Sequence, residues 1–314
     1  MTQFVLLVGG VGGAKLADGL SRLLPSSQLT LIGNTGDDFA HLGLTICPDL
    51  DTVMYTLSGV ANPETGWGRA GESWRAMESV RALGGPDWFN LGDLDLGVHL
   101  NRTHFLNQGQ DLTEITARLC RRLGMAHTLL PMSNQPAPTL IETDEGVLPF
   151  QEWFVARRWQ PMVRAVRLPE DVRASAQVMR ALEAADVVII APSNPFVSVD
   201  PILNVYPIRS MLADLPKLVA AVSPIIGGEA VKGPAARMMG AMNMPVTAAA
   251  ISAYYGGLID LFVYDEQDRG LTPAAGQATL CTQTLMNNNE DRVRLAREIL
   301  DHIDGLLGAS KSTA

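Results

Sequence analysis

Cysteine is scarce in this chain of 314 residues: there are three, Cys47, Cys120 and Cys281, far apart and without metal-ligand spacing. Buried free thiols are therefore expected over a metal site or a nucleophile. Excess positive charge is also missing. Lysine and arginine number 24 against 33 aspartates and glutamates, a net charge of -9, which argues against a broad nucleic-acid surface. An anionic small ligand must then be met locally, by backbone N–H groups, a lysine or a metal ion. No apolar run approaches the roughly 20 residues of a membrane span. The N-terminus lacks the basic segment and cleavage site of a leader, so a soluble cytoplasmic protein without membrane association is expected. Internal repeats, low-complexity tracts and charged tails are absent too. The 47% of hydrophobic residues is what a large globular core requires, and a chain of this length folds without a covalent staple.

What is present is alternation. Phe4 to Val8 reads as a fully buried strand and Ala14 to Leu24 as a helix with Leu16, Leu20, Leu23 and Leu24 on one face. Leu29 to Gly33 reads as a second strand. From about residue 59 the pattern changes to Gly- and Trp-bearing loops with helical pieces near Glu72 to Leu83 and Leu112 to Leu123, and Thr139 to Phe150 has the composition of a hairpin. Alternation resumes with a helix near Val172 to Ala185 and the apolar strand of "DVVIIAPSNP". "KLVAAVSPIIGG", "PVTAAAIS" and "LFVYDE" read as further buried strands. Asp291 to Leu307 is apolar at helical spacing, and the terminal "GASKSTA" is expected to fray. Apolar strands separated by helices predict an α/β fold, a Rossmann-like three-layer sandwich with a mostly parallel sheet and an α-rich excursion. Residues 1–58 and 165–314 form the expected nucleotide-binding core, and 59–164 the excursion.

In such a sheet ligands sit beyond the C-terminal strand ends, near the switch in strand order. The loop Gly9-Gly10-Val11-Gly12-Gly13-Ala14-Lys15 stands where the first strand becomes a helix. Its glycines let a bulky anion approach the backbone, and the free N–H groups of the first helical turn point at it. Four glycines around one valine exceed what a bare turn needs. Lys15 takes the place of the third glycine of the dinucleotide fingerprint, and Leu16 the place of the P-loop Ser or Thr, so neither standard motif is met. A cation in a first helical turn is unfavourable unless an anion lies there, which marks Lys15 as a phosphate contact.

"GNTGDDFAHLGLTICPDLDTVMY", residues 33–55, places Asp37, Asp38, Asp49 and Asp51 beside this loop. Carboxylates near a diphosphate repel it unless a hard cation such as Mg2+ lies between, so these four are the expected metal ligands. Capping of a helix starting near Thr52 by Asp49 or Asp51 is the structural alternative. "WFNLGDLDLGVHLNRTHF", residues 88–105, carries Asn90, Asp93, Asp95, His99, Arg102 and His104. A loop with Asx turns accounts for it as well as a site does. Ser193 and Asn194 end an apolar strand, where a parallel sheet presents polar groups to ligand. Ser223 ends another, and Gly227, Gly228, Lys232 and Gly233 then lead to Pro234, suited to the first turn of a second anion-binding helix.

"GGVGGAKL", "NTGDDF", "CPDLDTVMY", "LGDLDL", "LPMSNQP", "FQEWFV", "IIAPSNP", "AVSPIIGG", "VKGPAARMM" and "FVYDEQD" occur in register from about residue 4 to about residue 270. Together they resemble the 2-phospho-L-lactate transferase family, the CofD-like enzymes of deazaflavin coenzyme F420 biosynthesis. The resemblance implies transfer of a phospho-three-carbon acid from a guanosine-diphosphate-activated donor to the ribityl hydroxyl of a 5-deazaflavin, FO, with GMP leaving. It also implies Mg2+ as cofactor and a homodimer. By the same resemblance, the loop containing Gly9, Gly10, Gly12, Gly13 and Lys15 holds the diphosphate, with Ser193 and Asn194 nearby. Asp51 and Asn90 hold the deazaflavin, in a site that the 59–164 excursion helps to form. Asn90 stands where some archaeal members carry a basic residue. Asp51 and Lys15 are the implied catalytic pair. Trp67, Trp74 and Trp88 are expected to pack in the interior, stacking on the deazaflavin being the alternative for each.

Two rival readings frame the test. A dinucleotide-dependent oxidoreductase should carry an acidic residue at the end of its second strand, where this chain has Gly33 and Asn34. A non-enzymatic nucleotide-sugar-binding regulator, of a gluconeogenesis-factor type that shares the glycine loop, lacks the motif seen here as "PDLDTVMY". No residue reads which of phospholactate, phosphoenolpyruvate or phosphoglycerate the donor carries.

Overall fold

A computed structural model describes residues 1–312. The first half of the chain runs β1 (Phe4–Val8), α1 (Gly10–Ser21), β2 (Leu29–Gly33), the hairpin β3 (Phe39–His41) and β4 (Leu44–Ile46), and α2 (Pro48–Leu57). Three helices follow, α3 (Arg75–Ala82), α4 (Asp93–Asn107) and α5 (Leu112–Arg122), then β5 (Thr128–Pro131), β6 (Leu140–Thr143), β7 (Gly146–Pro149) and β8 (Val163–Arg167). The second half is α6 (Ala176–Ala184), β9 (Val187–Ile190), α7 (Asp200–Asn204), α8 (Ile208–Asp214) and β10 (Leu218–Val222). After the small hairpin β11 (Ile225–Ile226) and β12 (Glu229–Ala230) come α9 (Ala235–Ala241), α10 (Ala248–Tyr255), β13 (Leu261–Asp265), β14 (Ala278–Thr282) and α11 (Asn289–Ser312).

Seven strands form one sheet in the order β14-β13-β10-β9-β1-β2-β5, and every pairing is parallel. The period of two along each strand divides the core into two layers. Phe4, Leu6 and Val8 face α1, α2, α5 and α11, where Leu16, Val53, Ile115 and Ile299 are buried. Val5 and Leu7 face α6 to α10, with Leu182, Ile202, Met238 and Ile251. Gly19 permits the contact of α1 with α11, since a Cβ there would lie 2.2 Å from the Arg292 carbonyl oxygen. The result is the three-layer α/β arrangement expected, with a sheet that is wholly parallel.

Several local expectations are corrected. The segment "PVTAAAIS" forms α10 rather than a strand. Val246 and Thr247 suggest β structure, but Thr247 accepts the Ala250 N–H at 3.1 Å and caps a run of alanines that favours helix. Residues 93–107 form α4 instead of a loop, and Glu72 supplies its N-terminus by accepting the N–H groups of Leu94 and Asp95 at 2.7 and 2.8 Å. The first helix starts at Gly10, earlier than its apolar face indicates. α11 continues through "GASKS" to Ser312, and Thr313 and Ala314, the last of the segment expected to fray, lie outside the described residues. The 139–150 hairpin is present as β6 and β7, with β8 paired on the other edge of β6. Within 59–164 the chain also returns to the main sheet, where β5 pairs with β2.

Candidate active site

From β1 the strands proceed outward through β2 to β5, and from β9 outward through β10 and β13 to β14. The order therefore reverses between β1 and β9, and the crossovers diverge to leave a crevice at their C-terminal ends. A cleft of about 830 Å³ opens there, lined by Gly9, Gly10, Gly12, Lys15, Asp37, Asp49, Asp51, Ser193 and Asn194.

The glycine loop is packed against the strand ends on both sides. A Cβ on Gly12 would lie 2.6 Å from the Pro192 carbonyl oxygen, and one on Gly13 would lie 2.8 Å from Ser193 Oγ. At Gly9 it would lie 2.7 Å from Asp49 Oδ2. Gly10 has φ +64° and open space around it, so its need is conformational. Three of the four glycines are thus explained by packing within the protein, which accounts for the excess over a bare turn. Ser193 Oγ donates to the Gly9 carbonyl at 2.6 Å and clamps the β1 end to the β9 end. Asn194 Oδ1 accepts the Phe196 N–H at 3.0 Å and caps the next turn. Lys15 Nζ donates to the Met286 carbonyl at 2.6 Å, and burial, with Arg292 and Lys232 nearby, lowers its pKa.

The aspartates separate into two groups. Asn34 Nδ2 donates to Asp37 Oδ1 at 3.1 Å and to Asp49 Oδ2 at 2.9 Å, while Asp49 Oδ1 accepts the Gly10 N–H at 2.8 Å. Burial and the neighbouring Asp49 charge push the Asp37 carboxyl well above the usual carboxylate range. Burial raises Asp49 to about 6, against the lowering effect of its hydrogen bonds. Two neighbouring buried carboxylates with hard oxygen donors, their charged forms disfavoured by burial, suit Mg2+. Asp38 is raised by burial as well, but it lies beside Cys47, its Oδ1 has no hydrogen-bond partner, and it does not line the cleft.

Asp51 belongs to the other group. α2 begins at Pro48, not near Thr52, so Asp49 and Asp51 fall in its first turn and neither is the cap. Arg102, 1% exposed, donates Nη1 to Asp51 Oδ2 at 3.1 Å and Nη2 to Asp51 Oδ1. Burial alone would lower the Arg102 pKa, yet the Asp51 charge holds it above its ordinary value. His99 Nδ1 lies 3.1 Å from Arg102 Nη1, and His99 Nε2 lies 3.3 Å from Asp95 Oδ1. Tyr55 donates to the same Asp95 oxygen at 2.5 Å. Asp51, Asp95 and His99 are the one group of three such side chains, among the described residues, whose ligand atoms come within 4.8 Å of one another. Their positive partner is already present in Arg102, so the group is a buried ion-pair network rather than a cation cage. No three of Asp37, Asp38, Asp49 and Asp51 approach one another so closely.

The outer wall of the cleft is aromatic. Trp67, Trp88, Phe89, Phe150 and Phe154 line it, and Asn90 stands exposed at its rim. Phe39, His41, Trp88 and Phe89 form a cluster of tilted and edge-to-face rings with centroids 4.8 to 6.2 Å apart. The interior packing expected of Trp67 and Trp74 is not found: they are 49% and 36% exposed. Trp67 lies within, and Trp74 just after, the glycine-bearing turns of 66–71.

Asn34, Tyr55 and Arg102 received no role from the sequence. Asn34 had a signal, its place at the end of β2. The α4 pair had a weaker one, because residues at i and i+3 share a helix face, and His99 and Arg102 follow Asp95 at +4 and +7.

The doubly wound parallel sheet, the glycine loop after β1 and the cleft at the switch point define an α/β protein of the Rossmann-like class. The chain belongs to the family described as 2-phospho-L-lactate transferase CofD, whose model matches residues 4–296; it is thus a member of a transferase family. Among its relatives is a phosphoenolpyruvate transferase of Streptomyces griseus, 39% identical and covering 95% of this chain and 98% of that one. A 2-phospho-L-lactate transferase of Methanospirillum hungatei is 40% identical, covering 96% and 100%. A solved UPF0052 family member from Bacillus halodurans shares the fold at 16% identity, with a TM-score of 0.62 over 95% of this chain. Among the described residues no helix is long and apolar enough to cross a membrane.

Proposed function

We propose that the protein transfers a phospho-three-carbon-acid group from a guanosine-diphosphate-activated donor to the ribityl hydroxyl of the deazaflavin FO, releasing GMP. The observation that carries this reading is one cleft lined by two chemically different sets of groups. Glycine N–H groups, Lys15 and paired carboxylates come from the strand ends, and Trp67, Trp88, Phe89, Phe150 and Phe154 line the same cleft. Membership of the transferase family supports the reaction class.

The roles follow from the geometry. The glycine loop and Lys15 bind the diphosphate through N–H donors and a single positive charge. Asp37 and Asp49 are the residues that would hold Mg2+, which when bound neutralises diphosphate charge beside the carboxylates. Asp51, fixed on both oxygens by Arg102, orients the acceptor hydroxyl. The hydroxyl oxygen bonds to the distal phosphorus, the bond from that phosphorus to the GMP oxygen breaks, and the hydroxyl proton is released. Such a transfer needs positioning and charge neutralisation more than a covalent intermediate. The aromatic rings and Asn90 hold the deazaflavin, and a homodimer is part of the same proposal.

Mixing FO and activated donor with Mg2+ tests this: GMP and a phosphodiester product should accumulate together. A nucleotide-binding regulator would bind GDP and turn nothing over, which would refute the proposal. Competition among phospholactate, phosphoenolpyruvate and phosphoglycerate donors identifies the acid. Near-normal turnover of Asp51→Ala would remove Asp51 from the mechanism.

A further inference from the structure

Two lysines line the cleft at the glycine loop, Lys15 and Lys232, and Arg292, outside the lining, is a further basic neighbour of Lys15. They are not equivalent. Arg292 Nη1 is paired with Asp18 at 3.0 Å. Lys15 and Lys232 have no carboxylate within 4.0 Å among the described residues, and each ammonium donates to a neutral backbone carbonyl, Met286 at 2.6 Å and Thr65 at 3.1 Å. Both lysines line the cleft, and they stand on different elements, α1 and the loop after β12.

The Lys232 contact also joins two separate walls. A Cβ on Gly66 would lie 3.0 Å from Val11 Cγ1 and 3.3 Å from Lys232 Nζ. The 65–67 turn therefore sits directly over the glycine loop, with Lys232 beside both. A carbonyl oxygen is a weaker partner for an ammonium than a phosphate oxygen, because the anionic oxygen adds the attraction of opposite charges to the hydrogen bond. The helix that follows, α9, has seven residues, so the charge at this position comes from the lysine side chain itself.

We propose that Lys232 is a second diphosphate-binding cation, closing on the ligand opposite Lys15 and exchanging the Thr65 carbonyl for a phosphate oxygen. This inference rests on the guanosine-diphosphate donor proposed above. It assigns a function to the residue between β12 and α9 that the reaction scheme left unused, and it makes the 65–67 turn a wall that rests on Lys232 only while the diphosphate is absent.

GDP is the probe, titrated by calorimetry into the whole chain with MgCl2 present. Lys232→Met and Lys232→Gln should each weaken GDP binding at least fivefold, while Lys232→Arg stays within threefold of the wild type. Gln can still donate to the Thr65 carbonyl but carries no charge, so it separates phosphate binding from mere support of the turn. Thermal midpoints confirm that each variant is folded. If Lys232→Gln binds GDP as the wild type does, the residue only holds the turn and the inference fails. If the wild type binds no GDP, the donor assignment itself fails and takes this inference with it.

Discussion

Replacing Arg102 by Met probes the buried network that fixes Asp51. Asp51 is 4% exposed and both of its oxygens are held by Arg102, which is itself 1% exposed. Removing the guanidinium leaves His99 Nδ1, 3.6 Å from Asp51 Oδ2, as the one basic group beside the carboxylate among the described residues, and breaking such a buried pair costs about 3–5 kcal/mol. Against a total stability of about 5–15 kcal/mol this is a large fraction. With an unfolding entropy of about 2.1 cal/mol/K per residue, a chain of 314 residues shifts by roughly 1.5 °C per kcal/mol, so the melting midpoint should fall by about 5–8 °C. The pairing makes a second, sharper claim. Asp51→Asn alone leaves a buried guanidinium unpaired, so it should also destabilise, but the double variant removes both charges together. Its loss should be smaller than the sum of the two single losses by at least about 2 kcal/mol, as contacting charges couple. Differential scanning calorimetry of the four proteins closes the cycle. Strict additivity, or an Arg102→Met protein within about 1 kcal/mol of the wild type, would show that the pair does not hold Asp51 as described.

Gly12→Ala places a methyl 2.6 Å from the Pro192 carbonyl oxygen. The glycine loop must move away from the β9 end, and GDP affinity by calorimetry should fall at least tenfold while the fold persists by circular dichroism. The raised Asp49, at about 6, binds a proton in the folded state over a range where the unfolded carboxyl has lost it. Its contribution to stability is therefore present at pH 4 and is lost as pH rises through 6, worth about 3 kcal/mol at most. Unfolding by urea in EDTA should show this slope, and Asp49→Asn should reduce it, the raised Asp37 and Asp38 carboxyls keeping the remainder. Trp67, half exposed in the aromatic wall, should lose emission when FO is titrated in. In Trp67→Ala the KM for FO should rise several-fold, and an unchanged KM for FO would remove the ring from the acceptor site.

Much of the scaffold was legible because it is encoded locally. Phe4–Val8, Leu29–Gly33 and Leu261–Asp265 are apolar runs of strand length, and a run buried on both faces signals a parallel sheet. Where local signals compete, the sequence reading erred. Val246 and Thr247 look like a strand, but a threonine that caps Ala250 starts a helix. In 93–107 polar residues interleaved with apolar ones concealed α4, whose start depends on Glu72, about 20 residues upstream.

The site divides in the same way. The residue types of the phosphate end, glycines, Lys15 and aspartates placed after strands, were evident from the sequence by itself, because a β-to-helix turn must carry them where the N–H groups point. Which aspartate does what was decided only in three dimensions. Asp49 and Asp51 are two positions apart on α2, yet one meets Gly10 and Asn34 and the other meets Arg102. A helix turns about 100° per residue, so residues two apart point to opposite sides. Only the elements packed there, β1 and β2 on one side and α4 on the other, determine whether a carboxylate gains an arginine or another carboxylate.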